Sequence, residues 1–241
     1  WEHSMQTLTT VLVATAITIA LSVPWFAKDP RHGEYYTLLL YSALGAILLA
    51  GATDLKAFIV AMLMSSATGF VLAGFHRRSS PSAEAAIKYY LLGALANSAM
   101  LMGVALLFGI AGGTTFTALR TGLPSEAGPA TIAGVALVIV GVAFKLGAVP
   151  AHAWVPDVAQ GAPAPVAAFI TAVPKVGAFI FLARFVMVLP AGSLGWELLV
   201  AVVATATMTL CNLASLWQDD VRRLLGWSAV SQTGYGLMAI V

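Results

Sequence analysis

Stretches of about twenty predominantly apolar residues follow one another along this 241-residue chain, with only short polar turns between them. A helix of about twenty apolar residues matches the hydrocarbon core of a bilayer. The chain is 60% apolar and 9% charged, whereas a soluble domain carries about 25% charged residues. Too little polar surface remains to clothe a core in water. In hydrocarbon every backbone N–H and C=O must be paired inside the chain, and the helix is the simplest way to do so. The pattern predicts an all-α integral membrane fold of about eight transmembrane helices. They run over about 6–27, 34–52, 55–75, 84–108, 131–149, 165–189, 196–217 and 220–241, as one transmembrane domain over 1–241.

The boundaries rest on charge and turn chemistry. Lys28, Arg31 and His32 close the first run, and Tyr35 and Tyr36 open the second as interfacial anchors. Thr53 and Asp54 form a turn, and His76, Arg77 and Arg78 close the third run. Ser80 or Ser82 is placed to cap the fourth helix, and Glu84 and Lys88 share one face four residues apart. Residues 109–130 read as an external loop. On one side of the membrane fall Lys28, Arg31, Arg77, Arg78, Lys88, Arg222 and Arg223; the other side holds Lys56 and Arg120. By the positive-inside rule the richer side is the inner one, which puts Trp1 outside. Arg184, near the end of the sixth helix, is expected to snorkel to the interface.

Some functions are set aside at this stage. A net charge of +2 with no basic run gives no sign of nucleic-acid binding. The lone Cys211 lies in an apolar run and reads as a packing residue. With no CxxC, clustered metal ligands or glycine-rich phosphate loop, no redox cofactor is expected in this chain. The chain starts at Trp1 and ends inside an apolar run, so it reads as a piece of a longer protein.

The feature that asks for a function is the stretch 144–165. Lys145 follows fourteen apolar or small residues, and Lys175 lies about ten residues into the next helix. Each costs roughly 2.5–3.5 kcal/mol at the centre of a membrane helix on insertion scales. Between them Pro150, Pro156, Pro163 and Pro165 remove backbone donors and break the helix. Broken backbone at membrane depth survives only inside protein or along a water-filled cavity, and transporters build ion sites from such breaks. Lys145 and Lys175 are therefore candidates for carrying protons, with His152 and Asp157 as candidate relay groups. The bland alternative has the lysines paired to carboxylates or free carbonyls, Asp157 capping a half-helix and His152 bonding a carbonyl. Pro174, just before Lys175, is expected to bend its helix and open carbonyls near the amine.

These residues carry a resemblance. Phe144-Lys145-Leu146, Val149-Pro150, His152, Trp154, Pro156-Asp157-Val158 and Gln160-Gly161-Ala162-Pro163-Ala164-Pro165-Val166 resemble the antiporter-like membrane subunits of the proton-pumping NADH–quinone oxidoreductase, respiratory complex I. Subunit N, called subunit 2 in organelles, is the nearest form. Ala85 to Ala94, with Arg222-Arg223-Leu224-Leu225-Gly226-Trp227-Ser228 and Gly234-Tyr235, are similar to other helices of that subunit. The resemblance thus covers nearly the whole chain, as helices three through ten of a fourteen-helix fold with inverted repeats. It implies a subunit that couples quinone reduction to proton translocation, with Lys145 the lysine of the first broken helix and Lys175 the connecting lysine. It implies other complex I membrane subunits and the lipid bilayer as partners, in a bacterial plasma membrane. FMN, iron–sulfur clusters and quinone are expected in partner subunits.

Two departures stand out. The family's helix-three glutamate is replaced by Leu63, so Lys145 lacks its expected partner within the chain. The usual histidine of helix ten is replaced by Gln232, as in some relatives. Two further readings stay open: a non-pumping structural subunit of such a complex, favoured by Leu63, and a subunit of a multisubunit cation/proton antiporter.

Overall fold

The computed structural model describes residues 2–76, 78–124, 126, 128–190 and 195–241, with side chains from residue 5 onward. Trp1 and Arg77, which enter the orientation argument, lie outside the described residues. The chain forms α1 (Glu2–Phe26), α2 (His32–Gly51), α3 (Leu55–Ala73), α4 (Ser80–Ala111), α5 (Phe116–Gly122), α6 (Pro129–Leu146), α7 (Trp154–Gly161), α8 (Ala164–Val186), α9 (Trp196–Ser215) and α10 (Val221–Met238). All eight expected helices are present as long helices. Seven of them are long and apolar enough to cross a membrane; α10, which opens on Arg222 and Arg223, is not among these. The protein is a multi-pass integral membrane protein.

The fourth helix departs from its expected bounds for physical reasons. With 32 residues, it is about 48 Å long at 1.5 Å per residue. That exceeds a hydrocarbon core of about 30 Å, so it must tilt or project into the headgroups. Its start is not capped by Ser80 or Ser82. Ser79 is the N-cap residue and makes no side-chain cap bond, while Ser82 donates to the Ala73 carbonyl at 2.8 Å and ties α4 to the end of α3.

The expected loop 109–130 contains a helix, α5. Thr115 caps it by accepting from the Ala118 N–H at 3.1 Å. The loop then clasps the α2–α3 turn: Leu55 N–H donates to Thr114 O and Phe116 N–H to Thr53 O, both at 2.9 Å. Thr114 adds a bond to Asp54 Oδ2. Glycines and prolines hid this short helix from a composition argument.

Helices pack in the pairs α4–α6, α2–α3, α9–α10 and α2–α8. Small residues set the spacing, since helices in lipid associate through close packing rather than a hydrophobic drive. A Cβ on Gly103 of α4 would stand 2.7 Å from the Gly134 carbonyl of α6, too close for any side chain. Aromatic faces fill the core: Phe58 stacks on Phe181 at 3.9 Å and Tyr89 on Trp154 at 4.1 Å. Arg184 does more than snorkel, because its Nη1 donates to the Ala50 carbonyl at 2.8 Å, serving the C-terminal end of α2.

Candidate functional site

The break is built by α6 ending early, at Leu146 rather than 149. Gly147 adopts φ +71°, a left-handed conformation that only glycine takes cheaply. Ala148 N–H then reaches the Ala143 carbonyl at 2.8 Å and Gly147 N–H the Phe144 carbonyl at 3.0 Å. This pair of bonds is the Schellman ending of a helix. The chain passes through the cis Val149–Pro150 bond and restarts as the short helix α7.

A broken helix in a membrane must have its orphan groups paired, and side chains from three elements do so here. Trp154 Nε1 donates to the Phe144 carbonyl at 3.1 Å, the Thr233 hydroxyl to the Leu146 carbonyl at 2.9 Å, and Val149 N–H to Thr207 Oγ1 at 3.0 Å. Thr207 of α9 and Thr233 of α10 are both buried.

The two lysines converge on this break. Lys145 is 1% exposed, and its Nζ donates to Ser66 Oγ of α3 at 3.3 Å. Lys175 is 6% exposed; its Nζ donates to the Ala229 carbonyl at 2.8 Å and to Thr233 Oγ1 at 2.9 Å. Thr233 therefore joins the Lys175 amine to the Leu146 carbonyl, beside Lys145 in the chain. Pro174 does not break α8, which continues through it to Val186. The acceptors that Lys175 finds come from α10, not from carbonyls opened in its own helix.

Among the described residues neither lysine forms an ion pair. Leu63, where the resemblance places an acid, is 39% exposed and turned from the core, whereas Met62 and Ser66 are fully buried. The α3 position that contacts the Lys145 amine is Ser66. A hydroxyl both accepts and donates, so Ser66 and Thr233 can pass a proton as well as hold an amine.

His152 and Asp157 go separate ways, and no hydrogen bond or ion pair joins them among the described residues. His152 lies in the break near Trp227, with ring centroids 5.5 Å apart, and its Nδ1 is buried with no hydrogen-bond partner. Asp157 accepts from Lys88 Nζ of α4 at 2.9 Å and from Arg223 Nη1 of α10. Lys88 also holds Glu84 at 2.6 Å, the pair expected from their spacing. Arg222 donates to the Ala162 carbonyl at the end of α7. Asp157 thus anchors α7 between the starts of α4 and α10 and does not cap a half-helix.

Ser66, Thr207 and Thr233 were not legible as site residues. A lone hydroxyl in an apolar helix usually bonds a carbonyl of its own preceding turn, as Thr15 and Thr18 do here, and Thr207 and Thr233 also meet such carbonyls, those of Val203 and Ala229. Nothing local distinguishes those that reach across to another helix.

The comparisons with known proteins agree with this architecture. The family described as "NADH:quinone oxidoreductase/Mrp antiporter, TM" matches residues 52–241. The chain is 47% identical over 231 residues to NADH-quinone oxidoreductase subunit N 1 of Streptomyces griseus, covering 95% of this chain and 49% of that protein. It is 48% identical over 212 residues to NADH-quinone oxidoreductase subunit N of Mycobacterium sp. strain JLS, covering 88% of this chain and 45% of that protein. In structure it is similar to a chain of respiratory complex I from Thermus thermophilus with bound aureothin. The TM-score is 0.84 at 34% identity, covering 98% of this chain and 50% of the other. The chain thus spans about half the length of the relatives it matches. With its long apolar helices, its glycine-ended break and buried lysines, and the match over 52–241, the chain belongs to the NADH:quinone oxidoreductase/Mrp antiporter transmembrane family.

Proposed function

We propose that this chain is part of a proton-translocating subunit N of an NADH–quinone oxidoreductase in a bacterial plasma membrane. Lys145 and Lys175 are the proton-carrying groups. The observation that carries the reading is the contact set Lys175–Thr233–Leu146 carbonyl at the break. It ties the buried Lys175 amine, through the Thr233 hydroxyl, to the carbonyl next in the chain to Lys145, whose own buried amine meets the Ser66 hydroxyl. A merely structural lysine needs a carboxylate or a fixed set of acceptors; Lys145 has one hydroxyl at 3.3 Å, a poor return on the cost of burying an amine. His152, in the break beside Trp227, is the relay group. Asp157 contributes by holding α7 in place. Flavin, iron–sulfur centres and quinone belong to partner subunits on this reading, and the other membrane subunits of the complex pack around the chain.

A second reading is favoured by one observation: no acid contacts Lys145 among the described residues. On that reading the chain is a membrane scaffold of the same complex and the neighbouring subunits pump. The full-length subunit carrying Lys145→Ala or Lys175→Ala, assembled in its native membranes, separates the two. Proton uptake per NADH oxidised, followed by a ΔpH dye in inverted vesicles, should fall in both variants while assembly on a native gel is unchanged. Unaltered stoichiometry in both would leave the scaffold reading.

A further inference from the structure

The chain turns twice on the face where α1 and α3 end and α2 and α4 begin, and the two turns enclose an open cavity of about 790 Å³. Its walls are Lys28, Asp29 and Arg31 from the first turn and His76, Arg78 and Ser79 from the second. The turns are locked together. Arg31 Nη2 donates to the Phe75 carbonyl at 3.3 Å, and the guanidinium carbon lies 4.7 Å from the centre of the Phe75 ring. Phe75 meets Phe26 edge-on at 5.5 Å, and Phe26 stacks on Tyr35 at 3.9 Å. The aromatic cluster lies beneath a cationic rim.

The charges do not cancel. Asp29 is the one carboxylate among the described wall residues. It is already committed to Arg31, accepting from its backbone N–H at 2.9 Å and its guanidinium at 3.3 Å. The Arg31 backbone N–H holds the Asp29 carboxyl below the usual carboxylate range. Lys28 and Arg78 are exposed, and neither forms an ion pair among the described residues. Among the described wall residues, three permanent cations against one carboxylate leave an excess of two, in a recess at the level where the spans meet the headgroups. Orienting the chain requires basic residues on a face, not their convergence around a cavity. The exposed Trp25 at the end of α1 marks the interfacial belt beside it.

We infer that this cavity binds the phosphate of an acidic phospholipid headgroup. Lys28 and Arg78 contact the phosphate oxygens, Arg31 forms the fixed base, and the acyl chains descend along the exposed apolar face of α1. A zwitterionic lipid brings its own cation and leaves the two unspent charges unmatched. An acidic lipid neutralises one, and a lipid with two phosphates neutralises both. The inference does not depend on which groups carry protons.

The test uses the full-length subunit in its intact membrane assembly, loaded with photoactivatable phosphatidylglycerol or phosphatidylcholine. Cross-links are quantified on peptides covering residues 24–35 and 74–82. Each basic residue near a membrane surface contributes about fivefold to acidic-lipid binding. Lys28→Gln with Arg78→Gln should therefore weaken phosphatidylglycerol labelling of these peptides about 25-fold. Phosphatidylcholine labelling should be low and unchanged. Both positions are exposed, so the double variant retains the fold; Arg31→Lys, which keeps the charge, should lose only a fewfold. Equal labelling by the two lipids, or equal phosphatidylglycerol labelling in variant and parent, would overturn the site. Displacement of the lipid by inorganic phosphate at matched concentration would overturn the lipid assignment and leave a site for a free anion.

Discussion

Thr233 is the residue on which the broken helix and Lys175 both depend, and Thr233→Val removes its hydroxyl with little change of volume. In the parent that hydroxyl accepts from Lys175 Nζ at 2.9 Å and donates to the Leu146 carbonyl at 2.9 Å. The site is buried, with Thr233 only 2% exposed, so water does not replace what is lost. An orphaned buried carbonyl costs about 1–3 kcal/mol, and a lost bond to a charged amine about 1.5–3 kcal/mol. Measured side-chain bonds between membrane helices are weaker, averaging about 0.6 kcal/mol with a maximum near 1.7. Two such bonds then bracket the effect between about 1 and 6 kcal/mol, and the Ala229 carbonyl, which still holds Lys175 at 2.8 Å, pulls it to the lower half. A loss of about 2–3 kcal/mol is expected in reversible unfolding of the full-length subunit in mixed micelles. Proton uptake per NADH should fall with it. Thr233→Ser keeps the hydroxyl and should restore most of both. If Val and Ser were indistinguishable in stability and in stoichiometry, the hydroxyl would not be the link between the amine and the break.

Ser66→Asp places a carboxylate where Lys145 now meets a hydroxyl, whereas Leu63→Glu adds one on the 39%-exposed outer face. Proton uptake per NADH should rise in the first variant only; a gain confined to Leu63→Glu would refute the placement of α3 against the break. Asp157→Asn leaves Lys88 and Arg223 facing each other without a carboxylate between them. Because those partners are 45% and 34% exposed, the loss should be about 1 kcal/mol. It should shrink as salt is added, and a salt-independent loss in chemical denaturation would count against an electrostatic origin. Gly177→Ala pushes a methyl group into the Ala46 carbonyl of α2. Overpacking of this kind costs about 1–3 kcal/mol, read as a lower denaturation midpoint, and an unchanged midpoint would mean that α2 and α8 do not pack this closely.

Much of this molecule follows from local chemistry. The long apolar runs, charged turns and Glu84–Lys88 spacing led directly to the long helices and the ion pair, because hydrocarbon forces each backbone segment to satisfy itself and turns must reach water. The prolines announced a break, since backbone breakers act within their own turn, while its position at Gly147 came from the structure. The buried lysines announced a cost that needed a reason. What the sequence left open is which groups meet across the fold. Ser66 lies 79 residues from Lys145 and Thr233 lies 58 from Lys175. Nothing local in α3 or α10 marks those hydroxyls, and Thr233 even meets the Ala229 carbonyl of its own preceding turn, as an ordinary helical threonine does. The same holds for Asp157, whose neighbours in the chain suggest a helix cap and whose neighbours in space are Lys88 and Arg223. Helix formation is decided by contacts within a few residues, but partnership at a buried site is decided by how helices pack. That packing depends on close approaches such as Gly103 to Gly134, which no single segment contains.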